Sequence, residues 1–220
     1  MFLLFLLFSF STLLFLRLLY ILPSTHPTPA PSRSFPSRPK HLMILLGSGG
    51  HTAEMLLLLR TLRHPALYRR SYIYTHGDAL SAAKGVAFET SLAGCGAEKA
   101  AHCVYSIPRA RRVKQSWLST PLDAVKCFLG CISLFWKTGI PDVVVTNGPG
   151  SAVLLIGVVL GLRFLGIAHT RMVYVESFAR VTRLSLTGKL LYHVVDRFVV
   201  QWEGLKKRYR RAEYRGVLVL

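Results

Sequence analysis

From residue 1 to 22 the chain is apolar apart from a few small polar residues and one charge, Arg17, with no proline or glycine. As a helix rising 1.5 Å per residue, such a run spans roughly 30 Å, the hydrocarbon thickness of a bilayer. A retained anchor is expected rather than a cleaved signal peptide, because no basic segment precedes the run and no small-x-small site follows it directly. Residues 23–39 interleave proline with serine and threonine, the composition of an extended spacer. From Lys40 onward, short β-prone runs at 41–46, 71–75, 103–107, 142–146, 172–175 and 197–201 are separated by longer stretches. Helices are expected at 53–62, 122–136, 151–165, 185–195 and 203–211. Strands alternating with helices in this way imply right-handed crossovers and one Rossmann-like parallel α/β layer. The helix at 151–165 is apolar nearly all round, which suits burial against a sheet; its uncharged run is too short to span a bilayer.

Composition narrows the class. The chain has 220 residues, 51% of them hydrophobic, with 28 Lys and Arg against 10 Asp and Glu and a net charge of +18. That apolar content excludes a disordered chain, and the length suits one domain with appendages: an anchor at 1–22, a linker at 23–39, a folded layer at 40–208 and a tail at 209–220. Arg17, Arg33, Arg38 and Lys40 lie at or beyond the C-terminal end of the anchor and no acidic residue precedes Glu54, so the basic bias places the domain in the cytosol and the N-terminus across the membrane. Cys95, Cys103, Cys127 and Cys131 form no CxxC pair, so reduced thiols are expected. Cys127 and Cys131 share a helix face, but no further ligand type accompanies them and no metal site is expected.

Two turns carry the candidate chemistry. Gly47-Ser48-Gly49-Gly50-His51-Thr52 runs directly from strand to helix, where free amides and the positive helix end favour an anion such as phosphate. The pattern is neither the GxGxxG dinucleotide fingerprint nor a P-loop. His51 and Glu54, three residues apart, can both face the loop mouth as a general base and its neighbour; alternatively Ser48 or Thr52 caps the helix and His51 bonds a nearby carbonyl. Asn147-Gly148-Pro149-Gly150 repeats the strand, turn and helix design. Glu176 and Ser177 end the next strand and suit sugar hydroxyls, or else a helix cap or a link to Arg180 or Arg183. Basic runs at Arg109, Arg111, Arg112 and Lys114 and at 206–211 fit an anionic leaflet or a pyrophosphate headgroup better than nucleic acid, because the same chain carries an anchor.

The segments LLGSGGHTAEML, IPRARRVKQSW, PDVVVTNGPGSA, VYVESFARVTRLSLTGKLLY and DRFVVQW occur in that order. Together they resemble the membrane-anchoring subunit family of the dolichol-pathway UDP-N-acetylglucosamine transferase, and more distantly the N-terminal half of the bacterial lipid II synthase glycosyltransferase. The resemblance implies half of a GT-B glycosyltransferase that works without a cofactor. It also implies a soluble UDP-N-acetylglucosamine-binding catalytic partner, a dolichyl-diphosphate-N-acetylglucosamine acceptor and the endoplasmic reticulum membrane. By that resemblance Gly47, Ser48, Gly49, Gly50 and Thr52, with Asn147, Gly148 and Gly150, hold the acceptor diphosphate. His51 is the candidate base, Glu176 a sugar contact, and Arg109, Arg111 and Arg112 face acceptor or membrane. Tyr209, Tyr214, Gly216, Val217 and Leu218 correspond to the partner-docking tail, although Arg210 stands where a proline is expected.

Overall fold

A computed structural model describes residues 1–23, 38–62, 64–94, 102–111, 115 and 120–217. Most of the proline-rich linker, Cys95, Arg112, Lys114 and Leu218 lie outside the described residues. Seven strands form one parallel sheet in the order β3-β2-β1-β4-β5-β6-β7. They are β1 (Lys40–Leu45), β2 (Tyr68–Thr75), β3 (His102–Ile107), β4 (Val143–Asn147), β5 (Arg171–Val175), β6 (Arg197–Val200) and β7 (Ala212–Tyr214). The helices are α1 (Phe2–Ile21), α2 (Gly50–Arg60), α3 (Ala79–Gly94), α4 (Thr120–Thr138), α5 (Ser151–Phe164), α6 (Leu186–Leu191) and α7 (Glu203–Arg208). The chain winds outward from β1 through β2 to β3, then returns to place β4 on the other side of β1. The loops after β1 and β4 therefore part at neighbouring strands, where open parallel sheets bind ligands.

Alternation along β1 divides the core in two. Leu42, Ile44 and Leu46 pack with Met55 and Leu59 of α2 and Phe88 of α3. Met43 and Leu45 pack on the opposite face with Cys127, Cys131 and Leu134 of α4 and Leu155, Ile156 and Val159 of α5. A strand covered on both faces has no polar side to show, which is why the strand runs read as continuous apolar stretches. α5 is buried along Ala152, Leu155, Ile156, Val158 and Val159, as its all-round apolarity suggests.

Two elements exceed the sequence expectation. α3 was not signalled, since its alanine-rich sequence has a weak apolar stripe. It closes on the sheet through Gly85, where a Cβ would lie 3.2 Å from Leu46 and 3.7 Å from Tyr72. β7 takes up residues expected in the docking tail and pairs in parallel with β6, and Ala212 is fully buried. The helix expected at 185–195 ends at Leu191, and that expected at 203–211 ends at Arg208.

α1 is 20 residues of exposed apolar surface, long enough to cross a membrane. It is joined to the domain at its C-terminal end. Arg17 donates to the carbonyls of Phe164 (3.1 Å) and Arg163 (3.2 Å), so its cation caps the negative end of α5. Arg163 answers with a 3.5 Å bond to the Ile21 carbonyl while pairing with Asp196 at 2.7 Å.

The most buried ion pair among the described residues holds α3 to β2. Arg70, 3% exposed, donates to both oxygens of Glu89 at 2.5 and 2.8 Å, and Tyr72 donates to Glu89 at 2.5 Å. Burial alone would raise the Glu89 carboxyl; donation from Arg70 and Tyr72 outweighs it and holds the carboxyl below its ordinary value. Glu89→Gln leaves a buried guanidinium without a counter-ion, and we expect denaturant titration of the detergent-solubilised chain at pH 7 to show a loss of about 3–5 kcal/mol. Because the folded value is the lower one, this stability is complete above the unfolded value of roughly 4.3 and disappears as pH falls through the folded value. The variant should show a shallower acid-side decline than the parent, because only the Glu89 share is removed; a parallel decline in both proteins contradicts the assignment.

Candidate functional site

β1 ends in residues too small to cover the sheet edge. Gly49 has φ +62 and forms the N-cap of α2 without a side-chain cap, while Ser48, Gly49 and Gly50 are exposed. The first amides of α2 thus face solvent at the positive end of an 11-residue helix. The loop beneath is pinned. The buried Thr52 hydroxyl donates to the Gly47 carbonyl and lies 2.7 Å from Ser81, which donates to Asp78 at 2.7 Å. Thr52 therefore closes the loop rather than capping the helix. Asp78 also accepts from the Ser81 amide at 3.2 Å, starting α3, and the D-x-x-S spacing is the sequence signal that could have revealed this support.

The loop after β4 meets the first loop through His51. Gly148 has φ +54, and a Cβ there would collide with the imidazole. A Cβ on Gly47 would sit 2.6 Å from the His51 Cβ and 3.1 Å from Pro149, so bare backbone from both loops forms a slot for the ring. Asn147, buried at the end of β4, donates to the His51 carbonyl at 2.8 Å. Gly150 is the N-cap of α5, but there Ala152 and Val153 bond back to Pro149 and Gly150, leaving fewer free amides than at α2.

Glu54 lies one helical turn beyond His51. Its Oε1 accepts from the Ser177 hydroxyl at 2.9 Å and the Phe178 amide at 3.3 Å, and its Oε2 lies 3.9 Å from His51 Nδ1. These last two atoms are both buried without a hydrogen-bond partner. Burial would raise the Glu54 carboxyl, but its contacts with His51, Ser177 and Phe178 hold it below the ordinary value, so it is ionised at neutral pH. An ionised carboxylate facing Nδ1 favours a proton there and leaves Nε2 as the accepting nitrogen. The dyad can therefore take a proton beside an anion-ready helix end.

The other expected site residues separate. Glu176 is fully buried and accepts from the Ser185 amide (3.0 Å), the Ser185 hydroxyl (3.1 Å) and the Ser177 amide (3.2 Å). Its carboxylate is occupied at the start of α6, as in the helix-cap alternative, and Glu54 holds the position facing His51. Arg109 lies at the end of β3, with its Nε buried and unpartnered, while Arg111 is exposed and donates to the Gln115 carbonyl at 3.1 Å. Tyr209 packs edge-on against Tyr192 at 5.7 Å, Tyr214 lies exposed on edge strand β7, and Gly216 turns the chain with φ +82 ahead of Val217.

A single parallel layer with a glycine-lined switch point is one half of the two-layer GT-B glycosyltransferase architecture. The fold is similar to that of Acinetobacter baumannii MurG, with a TM-score of 0.51 and 18% identity, covering 76% of this chain and 43% of that one. The family model described as "Oligosaccharide biosynthesis protein Alg14 like" matches residues 42–218, and the chain belongs to that family. Relatives named as UDP-N-acetylglucosamine transferase subunit Alg14 include that of Schizosaccharomyces pombe, 46% identical over 81% of this chain and 83% of the relative. The Homo sapiens relative is 37% identical over 95% of this chain and 94% of its own length.

The two glycines of the second loop make opposite predictions. Gly148→Ala forces a positive φ on alanine and drives a methyl into His51, and should lower stability by about 1–3 kcal/mol in thermal or denaturant unfolding. Gly150 has φ −58 and open space around it, so Gly150→Ala should stay within about 0.5 kcal/mol of the parent. Equal effects would contradict the slot.

Proposed function

We propose that this chain is the membrane-bound, acceptor-binding half of a two-subunit transferase. A soluble partner supplies the UDP-N-acetylglucosamine-binding half. The complex adds the second N-acetylglucosamine, β-1,4-linked, to dolichyl-diphosphate-N-acetylglucosamine on the cytosolic face of the endoplasmic reticulum. The observation that carries this reading is the His51–Glu54 pair beside the uncapped end of α2, on a layer spanning 43% of the two-layer relative. Family membership supports the sugar donor and the need for a partner. Basic residues following α1 support a lumenal N-terminus, and the edge formed by exposed Tyr214 with the half-buried Gly216 and Val217, continued in the sequence by Leu218, is the proposed docking edge.

In this mechanism the α2 amides and the glycines of both loops hold the sugar-proximal phosphate. His51 accepts the proton of the acceptor 4-hydroxyl as that oxygen bonds to the anomeric carbon of the donor. The bond from that carbon to UDP breaks with inversion, and the partner stabilises the departing diphosphate. Glu54 stabilises the imidazolium that results, and Asn147 and Gly148 keep the ring in place.

The decisive measurement is transfer from UDP-N-acetylglucosamine to a short-chain prenyl-diphosphate-N-acetylglucosamine by this chain, its partner, and both. Activity with both alone supports the split site; activity from the partner alone reduces this chain to a scaffold. His51→Ala should lower turnover of the assembled complex by about 100- to 10,000-fold, with partner binding unchanged by pull-down. Removing residues 1–22 should leave that binding intact and shift the complex from the membrane pellet to the supernatant. A truncated complex that still sediments with membranes would exclude α1 as the sole anchor.

A further inference from the structure

The segment after β5 that carries the donors to Glu54 is fastened from the neighbouring strand. β6 ends at Val200 and is followed by Gln201 and Trp202. The Glu176 amide donates to the Val199 carbonyl at 2.8 Å, and the buried Gln201 side chain donates to the Glu176 carbonyl at 3.2 Å. Trp202 holds the chain two residues further on. Its Nε1 donates to the Phe178 carbonyl at 2.7 Å, and its ring lies against the Phe178 ring with centroids 4.9 Å apart. One indole therefore fixes Phe178 by both side chain and backbone. The indole is itself anchored, because Trp202 is the N-cap of α7 and its carbonyl accepts from the amide of the fully buried Leu205 at 3.1 Å.

That fastening reaches Glu54. The Phe178 amide, at 3.3 Å, and the Ser177 hydroxyl, at 2.9 Å, both donate to Glu54 Oε1. The Ala179 amide donates to the same hydroxyl at 3.4 Å, which leaves the hydroxyl proton for Glu54. With two donors on Oε1, Oε2 is the oxygen turned toward His51 Nδ1, at 3.9 Å. The partner that an imidazole nitrogen faces decides which nitrogen carries the proton. Whatever fixes Glu54 therefore acts on the ring without touching it.

We infer that Trp202 is a positioning residue for the His51–Glu54 pair, acting through Phe178. The inference deepens the proposed function and rests on it for what the pair does in transfer; the positioning itself rests on the geometry. A core aromatic would fill the same space with its ring alone. Trp202 also commits its N–H to a carbonyl that lies outside every helix and strand, next to the amide that meets Glu54.

The test uses the full-length chain in detergent, with histidine ring nitrogens isotopically labelled for NMR; the His51 signals are those lost in His51→Ala. The parent should hold its ring proton on Nδ1. Trp202→Phe keeps an aromatic ring and removes the donor, and should shift the ratio of the two tautomers toward Nε2–H by about three- to tenfold, the span of one ordinary hydrogen bond. Replacing Trp202 by β-(3-benzothienyl)alanine, which has the shape of tryptophan without the N–H, should do the same with unchanged thermal unfolding. Trp136→Phe, at an exposed tryptophan of α4, should change nothing. An unchanged tautomer ratio in the benzothienyl variant overturns the inference.

Kinetics of the assembled complex give an independent readout. Trp202→Phe should lower kcat about three- to tenfold and leave KM for both substrates unchanged. In a Glu54→Ala background the same substitution should cost nothing further, because the group it positions is gone. Losses that multiply would show a general structural effect and overturn the inference. The NMR result does not depend on transfer: a chain whose tautomer follows Trp202 but whose complex transfers no sugar condemns the proposed function instead.

Discussion

The contact between the His51 imidazole and the bare Cα of Gly148 joins the two halves of the sheet edge. β1 and β4 are neighbours, yet the chain makes three crossovers between them, so the loops that follow them come from distant sequence and have no covalent reason to agree. The slot makes them agree. Gly148 must lack a side chain to admit the ring, Gly47 must lack one beneath it, and Asn147 fixes the His51 backbone from the far side. With the ring confined, the Glu54 carboxylate stands 3.9 Å from Nδ1, and its own position is held by Ser177 and Phe178 after β5. Three consecutive strand ends thus converge on one titratable pair. In a preorganised arrangement of this kind little reorganisation remains when charge develops.

Around that point the molecule separates adaptation from rigidity. Parallel strands covered on both faces supply a stiff platform, and Asp78, Ser81 and Thr52 carry that stiffness into the first loop. The amides at the start of α2 remain uncommitted, as an anion site requires. Cationic residues follow the same logic. Arg163 and Arg197 meet carboxylates and build the fold, whereas Arg109 is buried at Nε without one.

How much of this was legible in the sequence depended on whether the signal was local. Strand runs, glycine turns and the anchor are contiguous patterns, and all appear where composition and periodicity place them. α3 was missed because its buried face mixes Ser81, Gly85, Phe88 and Glu89, which makes no apolar stripe in the sequence. β7 was missed because three residues cannot establish alternation; its place is defined by β6 alongside it. At the site, the i,i+3 spacing brought His51 and Glu54 together in advance. The commitment of Glu176 to α6 was open in the sequence only as the helix-cap alternative, since it depends on Gly188 leaving room for the carboxylate, a contact across a turn.

The link from Arg17 to the end of α5 fixes the direction of α1 against the domain. A domain tethered only through residues 23–39 would tumble beneath its anchor and meet a membrane-dissolved substrate in every orientation. With Arg17 capping α5 and Arg163 reaching back to Ile21, α1 and the domain belong to one body. Orientational freedom is then lost once, during folding, instead of at each encounter. For the lipid-linked acceptor of the proposed function, diffusion in the plane of the bilayer would bring that molecule to a face already turned toward it, and the search would reduce from three dimensions to two.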